Sequence, residues 1–481
     1  MKTVAQPRHC REPMHNHLRI LVVAFLGAAA FTPAARAQDA PQRSAVAARV
    51  DSLARAFVAD RDAPAVSVEV VRGSDTVVSA GYGTADLENQ VPATAATLYR
   101  IGSITKQFTA AAVMRLVEQG KVTLDDSIAA YVPDLPAAWR AVTVRELLNH
   151  TSGVPSYTDI GERWARRWGD PMPPDTLVAL TANTPMWFKP GTNWRYDNTG
   201  YVVLGMLLDH VTGVPYPKFI ETGLLRPLGL EHTYYCDTHR VLPHRASGYA
   251  PTSDGWGNAA YLDMTQPYAA GALCSTVGDL ARWNILLAHG KVVSAASYDA
   301  MTTPTGAAKA HHYGFGLIAG SLSGHAMIAH EGGIPGFITS TAYFPADSLS
   351  ITVLANSGSA PSDPLLANIA RAALGVSLEQ PPARIALTAA ERQRYSGRYV
   401  LNLPNGKTLP ITITAGKAAL MAQGIGESPF ELVPIGDDAF RAQFDPTLRM
   451  TFTLEGGKAT GYTIVQHGAT MHATRIGDEQ R

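Results

Sequence analysis

The stretch Ile101-Gly102-Ser103-Ile104-Thr105-Lys106-Gln107-Phe108 holds the only Ser-x-x-Lys sequence in the chain and opens a strongly helical segment. Residues three apart lie on the same face of a helix, so the amine of Lys106 can reach the hydroxyl of Ser103. A serine hydroxyl is a weak nucleophile until a neighbouring group takes its proton, and a buried lysine with a lowered pKa can do so. The first helical turn adds backbone N–H donors where an oxyanion would form. The stretch therefore predicts a nucleophile and its base.

Two further motifs follow along the chain. Tyr196-Asp197-Asn198 precedes an apolar helical run, and His330-Glu331-Gly332-Gly333 joins two strand-like segments. Each motif has a plain structural alternative: Tyr196 could be a packing aromatic, Asn198 a helix N-cap, and the histidine a hydrogen-bonded strand residue. The order and spacing of the three motifs are more informative than any one of them.

Taken together, the three motifs resemble the serine β-lactamase and penicillin-binding-protein superfamily. The resemblance is to the branch similar to class C β-lactamases, D-aminopeptidases, DD-peptidases and related esterases. It runs from about Ala45 to about Leu374 and includes Leu147-Leu148-Asn149-His150-Thr151-Ser152-Gly153 and Gly271-Ala272-Leu273-Cys274-Ser275-Thr276. Asn149 and His150 are also suited to ending a helix that starts with a capping box near Thr143.

The resemblance implies a role for each matching residue. Ser103 is the expected acylated nucleophile and Lys106 its activating partner. Tyr196 is the expected phenol that shares the proton with Lys106 and passes it to the leaving group, while Asn198 holds the acyl side chain of the substrate. The backbone N–H groups of Ser103 and Gly333 are expected to form the oxyanion hole.

The third motif is usually Lys-Thr-Gly, and the matching positions here read His330-Glu331-Gly332, so a histidine replaces the lysine. His330 and Gly332 are expected to bind substrate. A lysine would supply a permanent cation for the carboxylate of penicillins and of D-Ala-D-Ala termini, whereas a histidine titrates near neutrality. We therefore expect an ester, amide or D-amino-acid peptide substrate ahead of penicillins or cephalosporins.

The leading functional prediction is a serine hydrolase that works through an acyl-enzyme and needs neither a metal nor an organic cofactor. A β-lactamase is the alternative, and a non-catalytic cell-wall peptide-binding protein is a remote one. The sequence contains no Gly-x-Ser-x-Gly elbow of the α/β-hydrolase type. It also lacks Cys-x-x-Cys and His-Glu-x-x-His motifs, so no metal site is predicted.

Residues 1–37 have the pattern of a signal peptide. Basic residues up to Arg19 precede the apolar run Ile20 to Phe31, and Ala35-Arg36-Ala37 offers a cleavage site. The run is shorter than the roughly 20 residues that span a bilayer, so no stable membrane anchor is expected after cleavage, although an anchor is the alternative. Cys10 precedes the apolar run, which argues against a lipoprotein. A periplasmic or secreted protein is expected.

The overall charge is balanced, with 40 basic and 40 acidic residues and no basic block. Nucleic acid is therefore not an expected partner, and a small-molecule or short-peptide acyl substrate is. The sequence leaves the oligomeric state open. Cys236 and Cys274 remain after cleavage; they can pair in an oxidising compartment or persist as two buried thiols.

The predicted fold class is α/β of the α+β type. Residues 45–375 should form an antiparallel sheet flanked by helices, with a mainly helical lobe inserted between its two ends. Strand patterns near its end cover residues 313–318, 338–344 and 349–354. Residues 376–387 are the expected linker to a small all-β, barrel-like accessory domain at 388–477.

Overall fold

The computed structural model of the protein describes residues 33–379, 384–403, 406–417, 419–424, 429–445, 447–466 and 469–477. Two compact units make up the chain, Met1–Arg43 and Ser44–Arg481. Residues 1–32 of the predicted signal peptide, with Cys10, and residues 380–383 of the predicted linker lie outside the described ranges. Within those ranges, none of the helices combines the length and apolar character needed to cross a membrane.

Most helices lie between the first and last strands of the main sheet, as the predicted inserted lobe requires. A 3-10 turn, Gly102–Ile104, leads directly into the second α-helix. The α-helices of the described chain are α1 Pro33–Ala59, α2 Thr105–Glu118, α3 Val144–Leu148, α4 Glu162–Ala165, α5 Pro174–Thr181, α6 Asn198–Thr212, α7 Tyr216–Phe219, α8 Tyr268–Gly271, α9 Val277–Ala288, α10 Ala295–Thr302, α11 Ser362–Leu374 and α12 Ala389–Gln393.

Strands from both ends of the main domain meet in one seven-stranded antiparallel sheet of order β3-β2-β1-β12-β11-β10-β9. The strands up to this point are β1 Ala65–Arg72, β2 Asp75–Asp86, β3 Val91–Pro92, β4 Tyr99–Arg100, β5 Tyr234–Tyr235, β6 Tyr249–Thr252, β7 Gly255–Asn258, β8 Leu273–Ser275, β9 Ile318–Leu322, β10 His325–Ile334, β11 Phe337–Phe344 and β12 Leu349–Ala355. The first strand pairs with the last, so the predicted sheet is confirmed.

Helices cover both faces of this sheet, and β1 is therefore buried along nearly its whole length. Val66, Val68 and Val70 pack in one apolar cluster with residues of α1 and α11. The alternate residues point to the opposite face, where Ser67 Oγ donates a 2.8 Å hydrogen bond to Thr94 O. The buried hydroxyl of Ser67 is thus satisfied by a hydrogen bond within the protein.

Helix α2 lies in the middle of the helical lobe. Its small and apolar residues are buried nearly all round, as expected for an internal helix. Phe108 stacks on Trp283 of α9 with ring centroids 3.9 Å apart. Thr109 Oγ1 donates a 2.7 Å hydrogen bond to Ala269 O of α8. These contacts hold the helix rigidly at the boundary between lobe and sheet.

The strand predicted over residues 313–318 is wrong, because β9 begins only at Ile318. Gly316 has a positive φ of 67°, and a Cβ on it would lie 2.6 Å from Lys106 O. The segment packs against α2 instead of joining the sheet. Its alternating apolar residues therefore reflect close packing on a helix, which places Tyr313 in a buried position.

The C-terminal residues form a closed antiparallel barrel in which the first strand pairs with the last. Aromatic residues, among them Tyr399, Phe440 and Phe452, fill its interior. The predicted barrel-like fold is confirmed. Its strands are β13 Gly397–Asn402, β14 Thr408–Ala415, β15 Leu420–Gly424, β16 Phe430–Gly436, β17 Ala439–Ala442, β18 Arg449–Glu455, β19 Lys458–Gln466 and β20 Ala469–Gly477.

Gln443, which follows β17, connects the barrel to the main domain. Its side-chain amide donates to Arg61 O at 3.0 Å and to Asp62 Oδ1 at 3.2 Å, and its oxygen accepts from Ser359 Oγ at 3.3 Å. Burial raises the pKa of Asp62 to about 7, against the opposing effect of the Gln443 hydrogen bond. The barrel is therefore connected to the main domain through the hydrogen bonds of a buried glutamine side chain.

Cys236 and Cys274 form a disulfide, with Cα atoms 5.2 Å apart and a sequence separation of 38. Cys274 lies in β8 and is directly opposite Tyr234 of β5. The residues immediately before β8 form α8, which contacts α2. The disulfide therefore secures a strand next to the helical centre of the lobe.

Replacing both cysteines in C236A/C274A is expected to lower the free energy of unfolding by about 3 to 4 kcal/mol, because the bond restricts the unfolded chain over a long loop. Urea unfolding followed by circular dichroism measures this change. The wild-type protein unfolded with and without a reductant is the control. A loss below about 1 kcal/mol in both comparisons would contradict the prediction.

Candidate active site

Ser103 lies in the 3-10 turn that precedes α2, with Lys106 one helical turn further on. Gly102 has a positive φ of 49°, a conformation that glycine adopts at little cost and that bends the chain into the turn. The N–H of Ile101 is held by Leu273 O at 3.0 Å. The turn is thus fixed on its far side by β8, and the Ser103 side chain remains partly exposed.

The amine of Lys106 is completely buried and contacts three oxygen atoms. Nζ lies 3.1 Å from Ser103 Oγ, 2.8 Å from Asn198 Oδ1 and 2.8 Å from Ala270 O. Burial lowers the pKa of Lys106 well below its usual range, against the opposing effect of the Asp197 charge. The neutral amine is therefore favoured in this position.

A neutral amine donates two hydrogen bonds and accepts one. The carbonyl oxygens of Asn198 and Ala270 can only accept, so they take the two N–H bonds. The remaining partner, the hydroxyl of Ser103, is the one that can donate to the nitrogen lone pair. The contacts around Lys106 therefore aim its basic lone pair at the Ser103 proton.

Tyr196 reaches the same serine from the other side. Burial raises the pKa of the Tyr196 phenol, and a hydrogen bond with Ser103 opposes that shift. Lys106 Nζ lies 4.7 Å from the centroid of the Tyr196 ring. The amine and the phenol therefore meet at Ser103 Oγ, with the amine against the aromatic ring.

Asn198 is the first residue of α6, and Asp197 holds the N-cap position. Besides accepting from Lys106, Asn198 donates from Nδ2 to Thr158 Oγ1 at 3.2 Å. Its backbone N–H donates to Ser156 Oγ at 3.1 Å. Both ends of the Asn198 amide are engaged with the protein, which makes it a support for the lysine.

His330 is buried, and both ring nitrogens have protein partners. Nδ1 lies 2.6 Å from Glu331 O, which can only accept, so Nδ1 carries the proton and Nε2 accepts from Tyr313 Oη at 2.9 Å. Burial lowers the pKa of His330 to about 3. The ring is therefore neutral at physiological pH.

The glycines of the third motif touch the serine turn. A Cβ on Gly332 would lie 2.0 Å from Ile101 O, and one on Gly102 would lie 2.9 Å from Gly333 N. The backbone of β10 therefore runs directly beside the Ser103 turn. This close approach brings the backbone nitrogen of Gly333 next to the turn that carries Ser103.

The beta-lactamase family matches residues 50–375, which is more than half of the chain. This chain belongs to the beta-lactamase family. Penicillin-binding protein 4* of Bacillus subtilis (strain 168) is 26% identical over 441 residues, covering 85% of this chain and 94% of that protein. Another relative from that strain is 28% identical over 268 residues, and the chain spans 64% of its length.

Among solved structures, the D-stereospecific amidohydrolase from Streptomyces sp. is 28% identical with a TM-score of 0.60, covering 69% of this chain and 99% of that one. The family match and this similarity confirm the resemblance inferred from the three motifs. The chain therefore has the fold of β-lactamases and penicillin-binding proteins.

Two further residues of this family member form the wall behind Tyr196. The His150 ring lies 4.3 Å from the ring of Tyr196 and 4.7 Å from that of Tyr313. His150 Nδ1 accepts from the Asp197 N–H at 3.1 Å, and burial lowers the pKa of His150 well below its usual range. His150 belongs to a motif already noted in the sequence, whereas Tyr313 has no motif and was missed.

No group of three or more histidine, cysteine, aspartate or glutamate side chains in the described part of the chain is arranged to hold a metal ion. The residues gathered at Ser103 are an amine, a phenol and an amide. Such groups move protons and orient one another, which is the chemistry of acyl transfer.

The variant Gly332→Ala is expected to lose about 1 to 3 kcal/mol of stability, because its Cβ would overlap a backbone oxygen that cannot move freely. Thermal unfolding measures the loss. Gly278→Ala is the matched control, since a Cβ there meets nothing within 4 Å. Equal melting temperatures for the two variants would show that β10 does not approach the serine turn so closely.

Proposed function

We propose that this member of the family is an exported serine hydrolase that cleaves esters, amides or D-amino-acid peptides through an acyl-enzyme on Ser103. The observation that carries the proposal is the meeting of Lys106 and Tyr196 at Ser103 Oγ, beside the backbone of Gly333. The disulfide between Cys236 and Cys274 supports export, because such bonds persist in oxidising compartments.

In acylation, the neutral amine of Lys106 takes the proton of Ser103 as Oγ attacks the substrate carbonyl. The N–H groups of Ser103 and Gly333 stabilise the oxyanion. When the bond to the leaving group breaks, the Tyr196 hydroxyl donates a proton to the departing atom, and the Lys106 ammonium restores the proton of the phenol. Water then attacks the acyl-enzyme, and the proton transfers run in reverse to release the acid.

The neutral state of His330 supports an ester or amide substrate ahead of a β-lactam. A cation at this position would attract the carboxylate of a penicillin, and an imidazole with a pKa of about 3 supplies none. The similarity to a D-stereospecific amidohydrolase favours amides of D-amino acids within this class. The contacts of Lys106 and Tyr196 with Ser103 favour turnover over a purely binding role.

A fluorophosphonate probe and a fluorescent penicillin, applied to wild type and Ser103→Ala, test the proposal. Label is expected on the wild type alone, because Ser103 is the group that forms the acyl bond. In the producing cells, labelled protein should occur in the periplasmic or culture fraction and begin at Gln38. Label that persists in Ser103→Ala would remove Ser103 from the nucleophile role. Stable label without turnover of esters or amides would favour the binding protein.

The pH dependence of ester hydrolysis tests the role of Lys106. The base must be neutral, so kcat/KM should rise with pH through the lowered pKa of Lys106 and level off at a lower pH than an ordinary lysine would give. Lys106→Met should reduce acylation by about two to four orders of magnitude. Lys218→Met, which replaces an exposed lysine, is the control. A rate in Lys106→Met near that of the control would exclude Lys106 as the base.

A further inference from the structure

The third motif leaves one strand edge free beside the serine. β9 pairs with β10 only from His325 to Ala329, whereas β11 pairs with β10 as far as Ile334. In the described part of the chain, residues 330–334 therefore have an open hydrogen-bonding edge. An extended substrate can add to such an edge as a further strand.

The leaving group lies toward the His330 end of this edge. The ring centroids of Tyr196 and Tyr313 lie 6.2 Å apart, and Tyr313 Oη is hydrogen-bonded to His330 Nε2. This assignment rests on the proposed function, in which Tyr196 donates the proton to the departing atom. Glu331 is two residues before Gly333, or about 7 Å along the strand, so it adjoins the leaving side of the substrate.

Glu331 has an exposed side chain whose carboxyl is hydrogen-bonded to that of Asp363 in α11. Ser340 Oγ also donates to Asp363 Oδ1. The bond to Asp363 and its charge raise the pKa of Glu331, as expected for two carboxyls that share one proton. The pair then carries one net negative charge.

The negative charge of the Glu331 and Asp363 pair is not balanced by an ion pair in the described part of the chain. Across the described ranges, neither carboxyl forms an ion pair with a lysine, arginine or histidine. A cavity of about 280 Å³ adjoins the pair, and its walls are largely apolar, including Ile318, Met327 and Leu366. Apolar walls screen a charge less than water does.

The charge reaches the atoms of the proposed reaction. Burial is the main cause of the raised pKa of Tyr196, and the charge of Glu331 adds to it. The same charge adds to the raised pKa of Tyr313, again after burial. A leaving group that passes Tyr196 therefore comes within electrostatic range of Glu331, and so of the one negative charge that Glu331 and Asp363 share.

We propose that the Glu331 and Asp363 carboxyl pair sets leaving-group specificity by repelling acyl donors that carry a carboxylate on the leaving side. Esters and amides with uncharged leaving groups are the substrates of this site. The repulsion should slow the carboxylate form by roughly ten- to hundredfold at low salt, given one charge several ångströms away at an intermediate dielectric. The pair thus determines specificity and takes no part in proton transfer.

The test uses 3-carboxyphenyl acetate and 3-carbamoylphenyl acetate, which share an acyl group and differ in leaving-group charge. The ratio of their kcat/KM values is corrected for their rates of alkaline hydrolysis. Wild type should favour the carbamoyl ester by roughly ten- to hundredfold, and E331Q/D363N should bring the ratio to within about threefold of unity. Each single variant keeps one carboxylate and should keep most of the preference.

D134N/D254N removes two exposed acids on other segments and should leave the ratio unchanged. Raising the salt from about 0.01 M to about 1 M should weaken the wild-type preference, a measurement that does not depend on how the double variant folds. If the ratio of kcat/KM values is unchanged in a folded E331Q/D363N, or does not depend on salt, this inference is overturned while the proposed function stands. Hydrolysis of both esters that survives in Ser103→Ala would instead overturn the proposed function.

Discussion

Complete burial of one amine is the constraint on which the rest of the site depends. Removing the Lys106 nitrogen from water disfavours its charged form, and the two carbonyl-type acceptors around it satisfy a neutral amine. The third contact is the Ser103 hydroxyl. A lysine that is ordinarily a cation thus becomes a base, and its position decides which hydroxyl is activated.

The supports of that amine come from distant parts of the chain. Asn198 opens α6, Ala270 belongs to α8, and Lys106 lies in the first turn of α2, just after the 3-10 turn that carries Ser103. The helical lobe therefore has a chemical purpose beyond packing, because it brings oxygen acceptors to a buried nitrogen. On the other side, β10 approaches so closely that Gly332 has no room for a side chain.

Much of the architecture was predictable from the pattern of apolar residues along the sequence and from the family resemblance. Alternating valines and the resemblance indicated the sheet and the barrel, and both are present. The strand predicted at 313–318 failed, because alternation is the same whether residues pack on a sheet or on a helix. In the site, helical spacing alone predicted the contact of Ser103 with Lys106. His330, expected to titrate near neutrality, is instead a buried neutral ring, since burial is a tertiary property.

The sequence by itself determined the local chemistry: a serine and a lysine one helical turn apart, a phenol and a glycine-rich edge in the order of a known family. Only the tertiary structure decided the protonation states and the neighbours, among them Ala270 O behind Lys106, Tyr313 on His330 and Asp363 on Glu331. The physical reason is that residue spacing along the sequence fixes which side chains meet within one helix. Desolvation and the pairing of charged groups depend instead on which remote segments pack around a side chain and remove it from water.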